Sequence, residues 1–118
     1  MARHNDTGKA GEELAKDYLL LNSYTILHRN WRHKHWEIDF IATKNQVLHF
    51  VEVKTRTSEN FGYPEEKMDR KKIRCMINAS EEYLYTNPGW NRIQFDVLSI
   101  TMVNKEEPEY FLIEDVYL

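Results

Sequence analysis

At 118 residues, with 42% hydrophobic residues and only four Gly and three Pro, the chain has the size and composition of one folded domain, which excludes a largely disordered chain and two independent cores. Its formal charge of -3 gives no global attraction to polyanions, so any nucleic-acid contact has to come from a local basic patch. A lone cysteine, Cys75, excludes an internal disulfide; with no apolar run as long as a membrane span or a secretory core, a membrane partner is not expected and the cytoplasm is the expected compartment.

In chain order, a first helix is predicted from about Gly8 to Asn22, entered through the capping candidates Asn5, Asp6 and Thr7, with an apolar stripe of Ala10, Leu14, Tyr18 and Leu21. A strand from Tyr24 to Trp31, a polar turn from Arg32 to His35 and a second strand from Trp36 to Ala42 follow. Lys44-Asn45-Gln46 turns the chain into a third strand, Val47 to Thr55, whose apolar residues fall on both faces, as in a central strand covered on both sides. A loop with Phe61-Gly62-Tyr63-Pro64 leads to a long helix from about Glu65 to Tyr85, stopped by Asn87-Pro88-Gly89. Its stripe is Met68, Lys72, Cys75, Met76, Ala79 and Tyr83, where Cys75 reads as a small core hydrophobe rather than a nucleophile. Two strands close the chain, about Arg92 to Met102 and Glu109 to Val116, separated by the acidic turn Asn104 to Pro108. The order is α-β-β-β-α-β-β in a single domain spanning 1–118. Three consecutive strands before the second helix favour an α/β mixed sheet flanked by helices over a doubly wound one.

The chemistry lies on the second and third strands. Glu52 and Lys54 are two apart on a strand, so both project from one face, which they share with Leu48 and Phe50. Charges on an apolar face have to be paired, solvated or bound to something. A buried Glu52–Lys54 pair is the plain structural reading. Asp39, among Ile38, Phe40 and Ile41, supplies the alternative: paired strands are about 4.8 Å apart, so Asp39 and Glu52 converge on one cation if the register sets them side by side. Carboxylates brought together need a proton or a cation, and Mg²⁺ suits hard oxygen donors, with Mn²⁺ able to substitute. In such a site Lys54 would position the attacking water or neutralise phosphate charge.

Gly8-Lys-Ala-Gly-Glu12, Arg29-Asn30, Glu37-Ile-Asp39, Phe50-Val-Glu-Val-Lys-Thr-Arg56, Phe61-Gly62, Lys72 and Phe95-Asp96 together resemble the YraN-like family of small bacterial proteins. That family is similar to the Holliday-junction resolvases of the PD-(D/E)XK nuclease superfamily, and the likeness runs over nearly the whole chain. It implies a restriction-endonuclease-like fold and a catalytic set of Glu12, Asp39, Glu52 and Lys54. It also implies the Val53 carbonyl as a metal ligand beside Asp39 and Glu52, DNA as partner, branched DNA included, and a homodimer for symmetric cutting. Ile38 stands where the superfamily's Pro precedes Asp, as is usual in the resolvase-like branch. Trp36 stands where the family usually has Gly, which predicts an altered hairpin turn if that glycine supplies a positive φ, or else an edge-of-core aromatic able to stack a base.

Two basic stretches, His28 to His35 with Arg32 and Lys34, and Arg70 to Arg74, are candidate nucleic-acid contacts, although most such runs are solvated surface. Lys72 falls on the apolar stripe, unlike Lys71, so it either snorkels or reaches the site. Arg56 continues the Glu52, Lys54 face and suits a phosphate contact or a surface salt bridge. Glu37 flanks the site or faces solvent. His33 and His35 lack the partners of a zinc site and read as loop residues. Asp96 reads as structural, pairing with a basic residue of the basic hairpin. The leading expectation is a Mg²⁺-dependent endonuclease acting on DNA; the alternatives are a non-catalytic nucleic-acid-binding module and a structural protein with a buried Glu–Lys pair.

Overall fold

A computed structural model of the chain describes residues 2–56, 70–102 and 107–116, with side chains from residue 9 onward. Helix α1 spans Ala2–Leu21, followed by β1 Thr25–His33, β2 Trp36–Lys44, β3 Val47–Arg56, α2 Arg70–Thr86, β4 Ile93–Thr101 and β5 Glu109–Ile113. The strands form one five-stranded sheet in the order β1-β2-β3-β4-β5. Every neighbouring pair is antiparallel except β3–β4, which is parallel and needs the α2 crossover between its strands. This is the expected mixed sheet with the expected element order. The Phe61 to Pro64 loop, the helix start at Glu65 with Met68, and most of the acidic turn lie outside the described residues.

Local backbone chemistry explains the turns. Asn45 and Gln46 have φ of 53° and 68° between the paired residues Lys44 and Val47, the signature of a type I′ two-residue hairpin, whose twist matches the strands it joins. The first hairpin closes through Lys34-His35, between the paired His33 and Trp36, and its positive φ, 59°, falls on Lys34. Trp36 is therefore an ordinary first strand residue, and the turn needs no glycine at its position. After α1 the chain reverses through Ser23 at φ 71°, with Tyr24 N–H donating to Leu19 C=O and Ser23 N–H to Leu20 C=O, a Schellman-type stop made without glycine.

Each face of the sheet carries its own apolar layer. Ala15 and Leu19 of α1 pack with Phe40, Val51, Leu98 and Ile100; Met76, Ala79 and Tyr83 of α2 pack on the other face with Ile38, Ile41, Leu48 and Phe50. The α1 face differs from the expected stripe. Ala10 is exposed and Leu21 is 84% exposed, whereas Gly11, Ala15 and Leu19 form the buried row, flanked by Leu14 and Tyr18. The reason is close approach: a Cβ on Gly11 would run into the Thr55 side chain, so the helix settles on its smallest residues. Its start also precedes the expected one. A capping preference is worth only about 1 kcal/mol, and Asn5, Asp6 and Thr7 lie inside the helix rather than before it. At the other end β5 stops at Ile113, because Asp115 turns at φ 57° and Val116 N–H donates to Phe95 C=O.

Candidate functional site

The β2–β3 ladder ends, toward the site, at the pair Phe40 and Val51. The next residues on the two strands are Asp39 and Glu52. At that point the strict alternation of β2 also breaks, since Ile38 and Ile41 share the α2-side layer while Phe40 and Ala42 join the α1-side layer. Asp39 takes over where the backbone ladder stops: its Oδ2 accepts the Val53 N–H at 2.8 Å. That bond satisfies a backbone donor that would otherwise be left open and fixes one carboxylate oxygen in place.

Glu52 is only 5% exposed, and the Lys72 ammonium lies 3.1 Å from its Oε2. Lys72 occupies the same helix row as Met76, Ala79 and Tyr83, the buried residues of α2, at spacings of four, three and four, so the helix directs it at the sheet. Its own side chain is 50% exposed: the stem runs along the surface and the charged head meets the buried carboxylate. The 20 positions that separate Glu52 from Lys72 in the sequence are closed by the crossover into β4.

Electrostatics follow from this crowding. Although part of Asp39 reaches solvent, burial of its carboxyl, then repulsion from Glu52, pushes its pKa from the ordinary 3.8 up to about 7, against the opposing Val53 hydrogen bond and Lys72 charge. Burial alone would lower the Lys72 pKa, but Glu52, followed by Asp39 and Glu37, outweighs it and raises the group above its ordinary value. The repulsion between Asp39 and Glu52 is of the kind that a proton or a cation relieves.

The remaining expected site residues are distributed around this pair. Lys54 is half-buried and lies two residues beyond Glu52, opposite Ser99 of β4. Val53 is half-buried and packs against the α1-side layer. Glu12 Oε1 accepts from Asn30 Nδ2 at 3.1 Å and from Arg29 at 3.4 Å. Asn30 lies between the β1 residues paired with Phe40 and Ile38, hence across from Asp39, so Glu12 stands one strand away from the carboxylate pair. Among the described residues, no three His, Cys, Asp or Glu side chains converge as a metal-binding group.

Arg56 is 8% exposed, a buried guanidinium rather than a surface one. Arg32 is largely exposed and lies 3.7 Å from Glu37, and Lys34 stands over the Trp36 ring at 5.9 Å. Glu37 therefore borders the site, paired on one side and contributing charge to Asp39 and Lys72 on the other. His33 belongs to β1 rather than to a loop, 3.8 Å from Glu82. Cys75 is half-buried, off the row that carries Met76.

Two partnerships were not legible from spacing. Asn30 combines φ 53° with the bond to Glu12, and the one signal available was the tolerance of Asn for left-handed backbone in a segment otherwise read as strand. Asp96 does not pair with the basic hairpin. Its Oδ2 lies 2.7 Å from His49 Nδ1, while its Oδ1 accepts from Gln94 Nε2 and from the Asp115 N–H. In the parallel register Asp96 is opposite Val51, two residues from His49 on β3, so its nearest imidazole is the one on the neighbouring strand.

Fold and site together define a small α/β protein whose mixed sheet holds two crowded carboxylates where its central strands fork, served by a lysine from the crossover helix. The chain belongs to the family described as "Uncharacterised protein family UPF0102", which matches residues 11–100, the family that the motifs resemble under the name YraN-like. It is 42% identical over 106 residues to a UPF0102 protein of Flavobacterium psychrophilum, covering 90% of this chain and 89% of the relative. A UPF0102 protein of Bacteroides fragilis is 42% identical over 100 residues, covering 85% and 83%. One from Parabacteroides distasonis is 41% identical over 117 residues, covering 98% and 93%. The matched stretch includes Glu12, Asp39, Glu52, Lys54 and Lys72. No described helix is long and apolar enough to cross a membrane.

Proposed function

We propose that this protein is a divalent-metal-dependent endonuclease that hydrolyses DNA phosphodiesters, with branched or otherwise structured DNA as its substrate class. The observation that carries the reading is the Asp39 bond to Val53 N–H beside the buried Glu52. It leaves a second Asp39 oxygen beside the Glu52 carboxylate at the fork, and the repulsion between the two acids favours a cation. Hard oxygen donors of this kind suit Mg²⁺, with Mn²⁺ as substitute, and Asp39, Glu52 and the Val53 carbonyl are the groups that would hold it. When bound, such an ion polarises a phosphodiester and lowers the pKa of its water.

The chain's own groups supply the rest. Lys54 offers an ammonium on the Glu52 strand for the phosphate or for the attacking water. Lys72 offsets the Glu52 charge from the helix side. Glu12, held by Asn30 and Arg29, borders the fork and acts as a positioning residue. Arg32 and Lys34, exposed on the first hairpin beside Trp36, suit backbone contacts to DNA. Symmetric cutting of two strands calls for two sites, hence a homodimer.

A plasmid-nicking assay with Mg²⁺ or Mn²⁺ tests the reading by comparing the parent with Asp39→Ala and Glu52→Ala; equal activity in all three sinks it. The Lys72–Glu52 ion pair favours a second reading, in which the cluster is structural and the protein binds partners without cleavage. Calorimetry with Mg²⁺ separates the two, since the structural role requires no cation binding at Asp39 and Glu52.

A further inference from the structure

Beyond the start of β3, away from the carboxylates, lies a cavity of about 640 Å³, within the range of small-ligand sites. It opens between the Asn45-Gln46 turn, the residues leading into β4 and the start of β1. Lys44 and Asp39 are five residues apart on β2, roughly 17 Å at the rise of a strand, so the cavity is separate from the fork.

Its lining brings Lys44 and Arg92 together with the amides of Asn45, Gln46 and Asn91, and includes no Asp or Glu. That is unusual in a chain of net charge -3, where Arg29, Arg32, Lys16 and Lys72 are all spent on carboxylates. Neither Lys44 nor Arg92 has an ion-pair partner among the described residues. The Lys44 ammonium stands 4.9 Å from the centre of the Tyr24 ring, a contact that holds the cation in place without neutralising it. The acids behind Tyr24 are Asp96 and Glu114. Asp96 is committed to His49, Gln94 and the Asp115 N–H, and Glu114 accepts from Gln94. Trp90, half-buried against the α2-side layer, forms part of the wall.

Two uncommitted cations, three amides and an indole around one cavity match an anion that also carries hydrogen-bonding and aromatic groups. We propose that this cavity binds a nucleoside phosphate, with the phosphate between Lys44 and Arg92 and the nucleoside toward Trp90 and the amides. The ligand is either a free mononucleotide or the phosphorylated end of a strand, and the two sources share this chemistry.

Amide spectra of the ¹⁵N-labelled full chain, titrated with AMP, inorganic phosphate and a short oligodeoxynucleotide with or without a 5′-phosphate, test the proposal. AMP is expected to shift Asn45, Gln46, Asn91 and the Trp90 indole, and Lys44→Ala with Arg92→Ala to weaken it by roughly tenfold per cation removed. Asp39→Ala with Glu52→Ala leaves AMP binding unchanged, so failure here and failure of the nuclease reading are told apart. Tighter binding of the 5′-phosphorylated strand than of AMP assigns the strand end, and the reverse assigns the free nucleotide. No shift at millimolar AMP or oligonucleotide, shifts confined to the fork, inorganic phosphate binding as tightly as AMP, or an unchanged affinity in the double variant overturns the proposal. Lys44→Gln with Arg92→Gln, checked by thermal melting, replaces the alanine pair if that pair unfolds.

Discussion

Lys72→Ala withdraws the ammonium 3.1 Å from Glu52 Oε2. Removing one partner of a fully buried ion pair costs about 3–5 kcal/mol, and removing one partner of an exposed pair costs about 0–1 kcal/mol. Glu52 is 5% exposed but the Lys72 side chain is 50% exposed, so the expected loss lies between these limits, at about 2 kcal/mol. Glu52→Gln removes the charge that needs a partner, and in that background Lys72→Ala should cost no more than about 0.5 kcal/mol. The coupling between the two changes is then about 1.5 kcal/mol, well above the few tenths typical of independent sites. Urea unfolding of the four proteins at pH 8, without divalent ions, measures it. Additivity within about 0.3 kcal/mol would refute the claim that Lys72 serves the buried carboxylate. Under the nuclease reading Mg²⁺ also stabilises Lys72→Ala more than the parent, because the ion supplies the missing charge.

Asp39 binds its proton more tightly in the folded chain, at about 7 against an ordinary 3.8. Its contribution to stability is therefore fully present below about pH 4 and is lost as pH rises through 7. Asp39→Asn, which keeps an acceptor for the Val53 N–H, should remove that slope and gain on the parent between pH 4 and 7; parallel urea midpoints for the two proteins across this range would contradict the burial of the carboxyl. Gly11→Ala gains about 1 kcal/mol of helix propensity but drives a Cβ into Thr55, and overpacking of this kind costs about 1–3 kcal/mol; a net loss in thermal stability is expected, partly recovered by adding Thr55→Ala. Asn30→Gly retains access to φ 53° while deleting the Glu12 contact, whereas Asn30→Val also strains the backbone. Asn30→Val should thus be the less stable of the two in chemical denaturation, and equal stability would remove the left-handed backbone as the reason for Asn30.

The order of elements, the mixed sheet and the closeness of Asp39 to Glu52 on adjacent strands were legible in the residues themselves. Hydrophobic periodicity, turn residues and the two-residue repeat of a strand are local properties, and Asp39 and Glu52 sit near each other because one short hairpin joins their strands. Membership of the UPF0102 family follows from the same ordered motifs.

Tertiary structure decided what local pattern leaves open. Spacing put Lys72 on the buried row of α2 but did not choose between snorkelling and contact; the crossover placed its ammonium on Glu52. The α1 stripe centred on Gly11, Ala15 and Leu19 because the distance of closest approach to Thr55 favours small residues over the most apolar ones. Glu12 became tied to Asn30 and Arg29, and Asp96 to His49, through helix placement and sheet register. Which partner a charge meets depends on elements far apart in the chain, whereas which element a residue joins depends on its near neighbours. The carboxylates were therefore visible before the fold, and the lysine that answers Glu52 only within it.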